Sequence, residues 1–364
     1  MEKILVWHQG ALGDLILSLP AVYAIKKHGG GVSLHLICRA DMSGFILEKG
    51  LADGVTSNEK GTFGSLFGDL DRYSRDLKSF LDGFDGAFVF MRSRDDVFLD
   101  NLRRHIPHCH YIRAFPPPGM RMHVPRYQLE QLAGLGVDQG GGFPILGAGS
   151  DPSSPAGPTV IAVHPGSGGK KKCWPLHNYL RLMEELNREG DFSLVVILGP
   201  AEDRGEYETV NKFISEKGIS AEIIENMPVS EVISVLKKAA LYIGNDSGIT
   251  HLASALGVPA VAIFGPTDHE IWKPLCGNVR IVRSAYPCAP CEEEAYRRCG
   301  KAECLETLRV ETVLEECRRA GFCPSIFSIH TVGLPACRQA GRQKKPLGTF
   351  IPPCAAILRL KVYE

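Results

Sequence analysis

The chain has 364 residues, and its 41 lysines and arginines balance 41 aspartates and glutamates, so the formal charge is zero. That length suits two α/β domains of ordinary size, while the neutral balance and ordinary apolar content point away from nucleic acid and from disorder. No apolar run of about 18 residues occurs, and MEKILVWHQG passes straight into a strand without the pattern of a secretory signal. The expectation is therefore a cytoplasmic protein whose twelve cysteines are thiols or metal ligands and not disulfides.

Lys3 to Trp7 reads as a buried strand, and Leu15, Leu19, Val22, Tyr23 and Ile25 then recur at helical spacing as far as a glycine stop at Gly29 to Gly31. Pro20 lies inside that pattern and predicts a kink or a restart. Val32 to Cys38 is the next strand, which makes a β-α-β opening. The turn Gly10-Ala11-Leu12-Gly13-Asp14 fails the GxGxxG spacing of dinucleotide-binding dehydrogenases. Its glycines allow a sharp turn that leaves Asp14 at a helix start on the cleft side of the sheet. Helices are expected over Ser43 to Lys49 and Tyr73 to Leu81, and a buried strand over Ala87 to Met91.

Arginines predominate from Arg92 to Arg126. Arg92, Arg94, Arg103, Arg104, Arg113, Arg121 and Arg126 outnumber Asp95, Asp96 and Asp100, with His105, His108, His110 and His123 among them. Local positive charge in a neutral protein suits an anionic acceptor or a membrane surface; the alternative is a solvated helix face with loops. Residues 140–158 are dense in Gly, Pro and Ser and mark a domain boundary. The organisation expected is a first domain over 1–146, a linker over 147–158 and a second domain over 159–324.

The second half restarts with a strand, Thr159 to Val163, and a glycine-bearing loop, His164 to Lys172, ahead of a helix from Leu176 to Arg188. Gly166, Gly168 and Gly169 permit close backbone approach and Lys170, Lys171 and Lys172 supply charge, though no GxxxxGK[ST] is present. Phe192 to Leu198 is a strand that leads to Glu202 and Asp203. An acid just past such a strand can accept from ribose hydroxyls or cap the next helix, and both readings stand for this pair. After a strand over Ala221 to Glu225 and a helix over Val229 to Ala239 comes LYIGNDSGITHLASALGVPAVAIFGPTD. It reads as strand, turn, helix and strand, with Asp246, Ser247 and Gly248 at a helix N-terminus, where phosphate is readily held. A plain helix cap by Asp246 or Ser247 is the other reading. The loop Gly265 to Asp268 leaves the next strand at its carboxyl end, the ligand side of an open α/β sheet.

Cys288, Cys291, Cys299 and Cys304 lie within seventeen positions. They are either a structural zinc cluster or packed thiols, since the second pair lacks knuckle spacing. A helix over Val310 to Arg319 closes the second domain. Ser325 to Glu364 has neither periodicity nor caps and is expected to be a poorly ordered tail, even a read-through or frame-shifted end.

GALGDLILSLPA, HPGSGGKKKCWP and IGNDSGITHLASALGVPAVAIFGPTD, in that order, resemble the heptosyltransferases, the glycosyltransferase family 9 enzymes of lipopolysaccharide core assembly. The resemblance runs from about Lys3 to Ala320. It implies an α/β fold of GT-B architecture, with two Rossmann-like domains facing across a cleft, acceptor on the first and ADP-heptose on the second. Asp14 then resembles the catalytic base, and Lys172 the lysine of a Lys-x-Trp-Pro motif that contacts the donor phosphate. Asp246, Ser247, Gly248 and His251 match the family's Asp-[Ser/Thr]-Gly-x-x-His loop around the diphosphate, and Glu202 resembles the acid on the ribose. Ser167, Gly168, Gly265, Pro266 and Thr267 complete the implied donor set; Gly13, Arg92, Arg94 and Arg121 form the acceptor side. His8-Gln9 departs from the family, which often has an arginine-containing pair there, and the stretch after Ala320 departs from its closing helix.

The implied activity is inverting transfer of heptose to an anionic lipid-linked glycan of the Kdo-lipid A type, without a catalytic metal, since no DxD follows a strand. Partners would be ADP-heptose, that acceptor and, transiently, the inner face of the inner membrane. Nucleic acid is not expected. A UDP-sugar 2-epimerase of the same architecture and a non-catalytic nucleotide-sugar-binding module are the alternatives.

Overall fold

The computed structural model describes residues 2–59, 61–68, 74–137, 143, 144, 146, 159–190 and 192–320. The expected linker over 147–158 and the tail from Ser325 lie outside the described residues.

The described residues form two parallel sheets. The first contains β1 (Lys3–His8), β2 (Ser33–Cys38), β3 (Gly54–Ser57), β4 (Gly86–Met91) and β5 (His108–Arg113) in the order β3-β2-β1-β4-β5. β1 is central because Ile4 to His8 are all buried, the near-continuous apolar pattern of a strand covered on both faces. Leu5 pairs with His35 on one side and Ala87 on the other. This register brings the carboxyl ends of β1, β4 and β5 to one edge. Helices α1 (Leu12–Lys27), α2 (Ser43–Glu48), α3 (Arg75–Leu81), α4 (Asp96–Arg103) and α5 (Val124–Gly134) complete the half.

The second sheet contains β6 (Thr159–His164), β7 (Phe192–Leu198), β8 (Ala221–Glu225), β9 (Leu241–Asn245), β10 (Ala260–Phe264) and β11 (Val279–Arg283), in the order β11-β10-β9-β6-β7-β8. Its helices are α6 (Leu176–Glu189), α7 (Arg204–Lys217), α8 (Val229–Leu236), α9 (Gly248–Ala255), α10 (His269–Trp272), α11 (Glu293–Arg298), α12 (Glu303–Glu306) and α13 (Val310–Arg319). β9 lies between β6 and β10, so the loops after all three open at one edge.

The halves meet through α1 and α9. Helix α1 is apolar nearly all round and buries Leu12, Leu15, Ile16, Leu17, Leu19, Val22 and Ile25; such a helix must be covered on more than one side. One continuous apolar cluster joins its Leu15, Leu19 and Val22 to Leu252, Ala253 and Leu256 of the second half. The expected restart at Pro20 does not occur, and α1 is one element through it. The ring of Pro20 is buried with its neighbours, and that packing offsets the missing backbone hydrogen bond.

Several elements were silent in the sequence. β5 (HCHYIR) carries polar residues at the sheet edge, and α7 buries only Val210, so neither has the strong periodicity that would announce it. β11 (VRIVR) carries two exposed arginines and is likewise an edge.

Glycine is required where the two helix N-termini cross. A Cβ on Gly248 would lie 2.9 Å from Leu12 Cβ and 3.2 Å from the Gly13 backbone nitrogen; one on Gly13 would lie 2.9 Å from His251 Cδ2. Gly248→Ala should destabilise the protein by about 1–3 kcal/mol, measured by urea unfolding. Gly44→Ala in α2, where an added Cβ meets nothing within 4 Å, should be neutral or slightly stabilising.

Candidate active site in the cleft

The site is assembled around Asn245, the last residue of β9, which is fully buried. Its Nδ2 donates to the carbonyls of Pro165 (2.6 Å) and Gly166 (3.2 Å), and its Oδ1 accepts from Trp174 N (2.9 Å) and from the Tyr179 hydroxyl (2.9 Å). Both ends of the loop after β6 are therefore hung on one amide. Ser167 Oγ adds a bond to Asp246 O (2.8 Å), and the Trp174 indole donates to Leu308 O (2.9 Å). The sequence reading passed over Asn245; a polar residue closing an otherwise apolar strand was the available signal.

This frame brings Lys172 onto Asp246, with Nζ 2.9 Å from Oδ2, while His251 Nε2 stands 3.7 Å from Oδ1. Burial pushes the Asp246 carboxyl up, yet the His251 ring and the Lys172 ammonium outweigh it and hold the group below the usual carboxylate range. Of the two cap readings, Ser247 is the cap of α9, accepting from Thr250 N (3.4 Å). The first-turn amides of α9 point the positive end of the helix dipole at the same spot. His251 Nδ1 is buried without a hydrogen-bond partner among the described residues.

Asp14 comes from the other half, in the first turn of α1. Its Oδ2 accepts from Ala11 N (3.0 Å). Burial raises its pKa above the ordinary aspartate value; Ala11, His251 and Lys172 oppose the rise and Asp246 adds to it. Asp14, Lys172, Asp246, Ser247, Gly248, His251 and Gly13 are thus gathered where α1 meets α9.

Glu202 and Asp203 separate cleanly. Asp203 caps α7 by accepting from Glu206 N (3.0 Å), whereas the Glu202 carboxyl accepts from Gly199 N (2.5 Å) and turns into a cavity of about 320 Å³ with Ser167, Lys170, Trp174 and Leu198. Burial raises the Glu202 pKa, against the Gly199 bond. A Cβ on Gly166 would sit 1.8 Å from Glu202 Oε1, so a side chain there would displace the Glu202 carboxyl. Gly168 is exposed on the same loop. Gly265 and Pro266 are buried: Gly265 backs onto Leu305 and Pro266 O accepts from Cys291 N (2.8 Å). Thr267 Oγ1 is buried with no partner among the described residues.

A larger cleft of about 1040 Å³ opens beside Asp14, between the loop after β5 and the loop around α10. Arg92 and Arg113 line it, and neither has a carboxylate partner among the described residues. The other expected acceptor arginines are committed elsewhere. Arg94 pairs with Asp96 (2.6 Å) and does not line the cleft. Arg121 lines it but makes two bonds to Asp268 (2.7 and 3.2 Å). That pair, the His123 Nε2 bond to Lys273 O (2.8 Å) and the Phe115–Trp272 contact (4.9 Å between ring centroids) join the halves at this rim. Arg113 closes β5, and missing that strand hid its place in the cleft.

Cys288, Cys291, Cys299 and Cys304 line one further cavity of about 250 Å³. Among the described residues, however, no three His, Cys, Asp or Glu side chains are grouped so as to hold a metal ion.

Two parallel-sheet α/β halves that meet through α1 and α9 define a GT-B fold. The likeness to solved structures agrees. The glycosyl transferase family 9 protein from Veillonella parvula superposes with a TM-score of 0.69 at 18% identity, covering 88% of this chain and 97% of that one. The Escherichia coli ADP-heptose lipopolysaccharide heptosyltransferase II gives 0.65 at 18% identity, covering 88% and 98%. At that identity the likeness is one of fold. The family model for glycosyltransferase family 9 (heptosyltransferase) matches residues 109–300, and the chain belongs to this family. Among curated relatives, lipooligosaccharide heptosyltransferase 2 of Haemophilus influenzae is 28% identical over 127 residues, 34% of this chain and 36% of that protein. Lipopolysaccharide heptosyltransferase 1 of Campylobacter coli is 36% identical over 110 residues, 29% of this chain and 32% of that protein. The aligned stretch spans about a third of the length of these curated relatives.

Asn245→Ala should strand the Trp174 amide, the Tyr179 hydroxyl and two carbonyls at once. At about 1–3 kcal/mol for each buried group left unpaired, thermal melting should show one of the largest losses of any single polar substitution in the second half.

Proposed function

We propose that the chain is an inverting transferase that moves heptose from ADP-heptose to the inner core of a lipopolysaccharide acceptor of the Kdo-lipid A type. The observation that carries this reading is Asp14, a lone carboxylate of the first half held opposite Lys172, Asp246, His251 and the N-terminus of α9. Breaking the bond from sugar C1 to the diphosphate builds negative charge on the leaving group. The α9 amides and the Lys172 ammonium stabilise it by preorganised electrostatics. Asp246 holds Lys172 in place and is itself kept ionised. Asp14 takes the proton of the acceptor hydroxyl as its oxygen attacks C1 from the face opposite the diphosphate, which inverts the anomeric centre. The cavity beside Glu202 takes the nucleoside, with that carboxyl accepting from the ribose hydroxyls.

The acceptor occupies the cleft beside Asp14. Arg92 and Arg113, without a carboxylate partner among the described residues, suit a carboxylate or phosphate on the acceptor, while Phe115, Pro116 and Trp272 offer an apolar ledge to a sugar face. No helix among the described residues is long and apolar enough to cross a membrane; the proposed setting is the cytoplasmic face of the inner membrane, where the enzyme meets its lipid-linked acceptor transiently. The scheme needs no metal, so turnover should persist in the presence of a chelator.

Incubation with ADP-heptose and a Kdo-lipid acceptor, read by ADP release, tests the proposal. Asp14→Asn should lower turnover by about 10²- to 10⁴-fold with donor affinity nearly kept, and full activity in that variant would remove Asp14 from the mechanism. The base works ionised and its pKa is raised by burial. Turnover of the unmodified protein should therefore fall, as pH drops, at a value above that of an ordinary aspartate, and Asp14→Asn should lack this acid limb.

Arg113→Ala should raise the KM for the anionic acceptor by about tenfold or more, the loss of one hydrogen bond to a charged group, and leave the donor KM unchanged. Equal effects on both substrates would place Arg113 outside acceptor recognition.

A further inference from the structure

Behind Asp14 lies a chain of buried and part-buried hydrogen bonds that the reaction scheme does not use. His8 ends β1 and is 1% exposed. Its Nδ1 accepts from Gly10 N (3.2 Å). A backbone N–H can only donate, so Nδ1 carries no proton, and the neutral ring bears its proton on Nε2. That proton is given to Ser18 Oγ, 3.1 Å away. Ser18 in turn donates to the carbonyl oxygen of Asp14 (2.9 Å) and accepts a second bond from Gln128 Nε2 (2.9 Å), which also donates to Ala114 O (2.8 Å). One donation and two acceptances saturate the hydroxyl. Every direction in the chain is thereby fixed, and it links β1, α1, α5 and the residue after Arg113.

The turn between His8 and Asp14 is clamped from both sides. A Cβ on Gly10 would lie 2.6 Å from His8 Cε1 and 2.5 Å from Asp14 Cβ, so the ring and the aspartate close directly on the Gly10 backbone. We infer that His8 is a positioning residue for Asp14, holding the turn that aims its carboxylate across the cleft. The inference rests on the reading of Asp14 as the general base. Burial lowers the His8 pKa to about 4, so at neutral pH the ring adds geometry without charge. The ionisable side chains acting on Asp14 are His251, Lys172 and Asp246, all from the second half. A cation at position 8 would place charge behind the base, where the neutral ring places none.

The test compares His8→Phe, which keeps the ring but neither hydrogen bond, with His8→Gln, whose amide can accept from Gly10 N–H and donate to Ser18. Ser18→Ala deletes only the hydroxyl, should His8→Phe not fold. Two readouts are taken: turnover against donor affinity, and titration of the Asp14 carboxyl by carbon-13 NMR, which needs no substrate. Turnover should fall about 10²-fold in His8→Phe, the loss expected when a reacting group is misplaced by about 1 Å, with donor affinity unchanged. His8→Gln should recover most of it. The Asp14 pKa should fall toward the ordinary aspartate value in His8→Phe and Ser18→Ala, as water enters the loosened turn, and stay raised in His8→Gln. Wild-type titration in both His8→Phe and Ser18→Ala, or equal loss in His8→Phe and His8→Gln, overturns the inference. If the unmodified protein does not turn over ADP-heptose, the proposed function fails while the Asp14 titration still decides the role of His8.

Discussion

The four hydrogen bonds of the Asn245 side chain hold the arrangement on which the site depends. They fix the start of the loop after β6 through Pro165 and Gly166 and its end through Trp174. Lys172, two residues before Trp174, can then reach Asp246 one residue beyond Asn245. An amide suits the task because it offers donors on one side and an acceptor on the other, and full satisfaction lets it be buried without the cost of an unpaired group. A glycine-rich loop with three lysines would otherwise be free to sample many positions, and the pairing of ammonium with carboxylate would not be set in advance of ligand.

The electrostatics of the two halves differ in kind. In the second half the buried carboxylate is compensated, with Asp246 between Lys172 and His251. In the first half Asp14 has, among the described residues, only the backbone of Ala11 hydrogen-bonded to its carboxyl. Burial acts on both carboxyls in the same direction, and the presence or absence of a close cation decides which stays firmly ionised and which is brought nearer neutrality. Two carboxylates separated in this way by their surroundings can serve different purposes, one holding a cation and the other exchanging a proton. The crossing of α1 and α9 through Gly13 and Gly248 brings these two environments within reach of each other.

The cleft beside Asp14 shows how a charge surplus is sorted by geometry. The seven arginines between 92 and 126 looked equivalent as a run. Asp96, Asp100, Asp268 and Glu130 take up Arg94, Arg103, Arg121 and Arg126, Arg104 is exposed at the end of α4, and Arg92 and Arg113 line the cleft. Arg121 has instead become part of the contact between the halves, beside Phe115 and Trp272.

The strongly apolar strands, the helices with clear periodicity and the turns before α1 and α9 were legible in the sequence, because burial on both faces of a parallel sheet writes continuous apolar runs and helix N-termini need small or capping residues. The linear order of the motifs likewise placed Asp14 at a helix start, and Lys172, Glu202 and Asp246 in segments that follow strands at their carboxyl ends. Edge strands such as β5 and weakly buried helices such as α7 left no such trace, since half-exposed positions accept polar residues. Only the folded chain decided that Asp203 caps a helix while Glu202 faces a cavity, that Arg113 and not Arg94 lines the cleft, and that His8, Ser18 and Gln128 join behind Asp14. These outcomes turn on which side chains, far apart in sequence, come within about 3 Å of one another, and residue spacing along the chain carries no information about that distance.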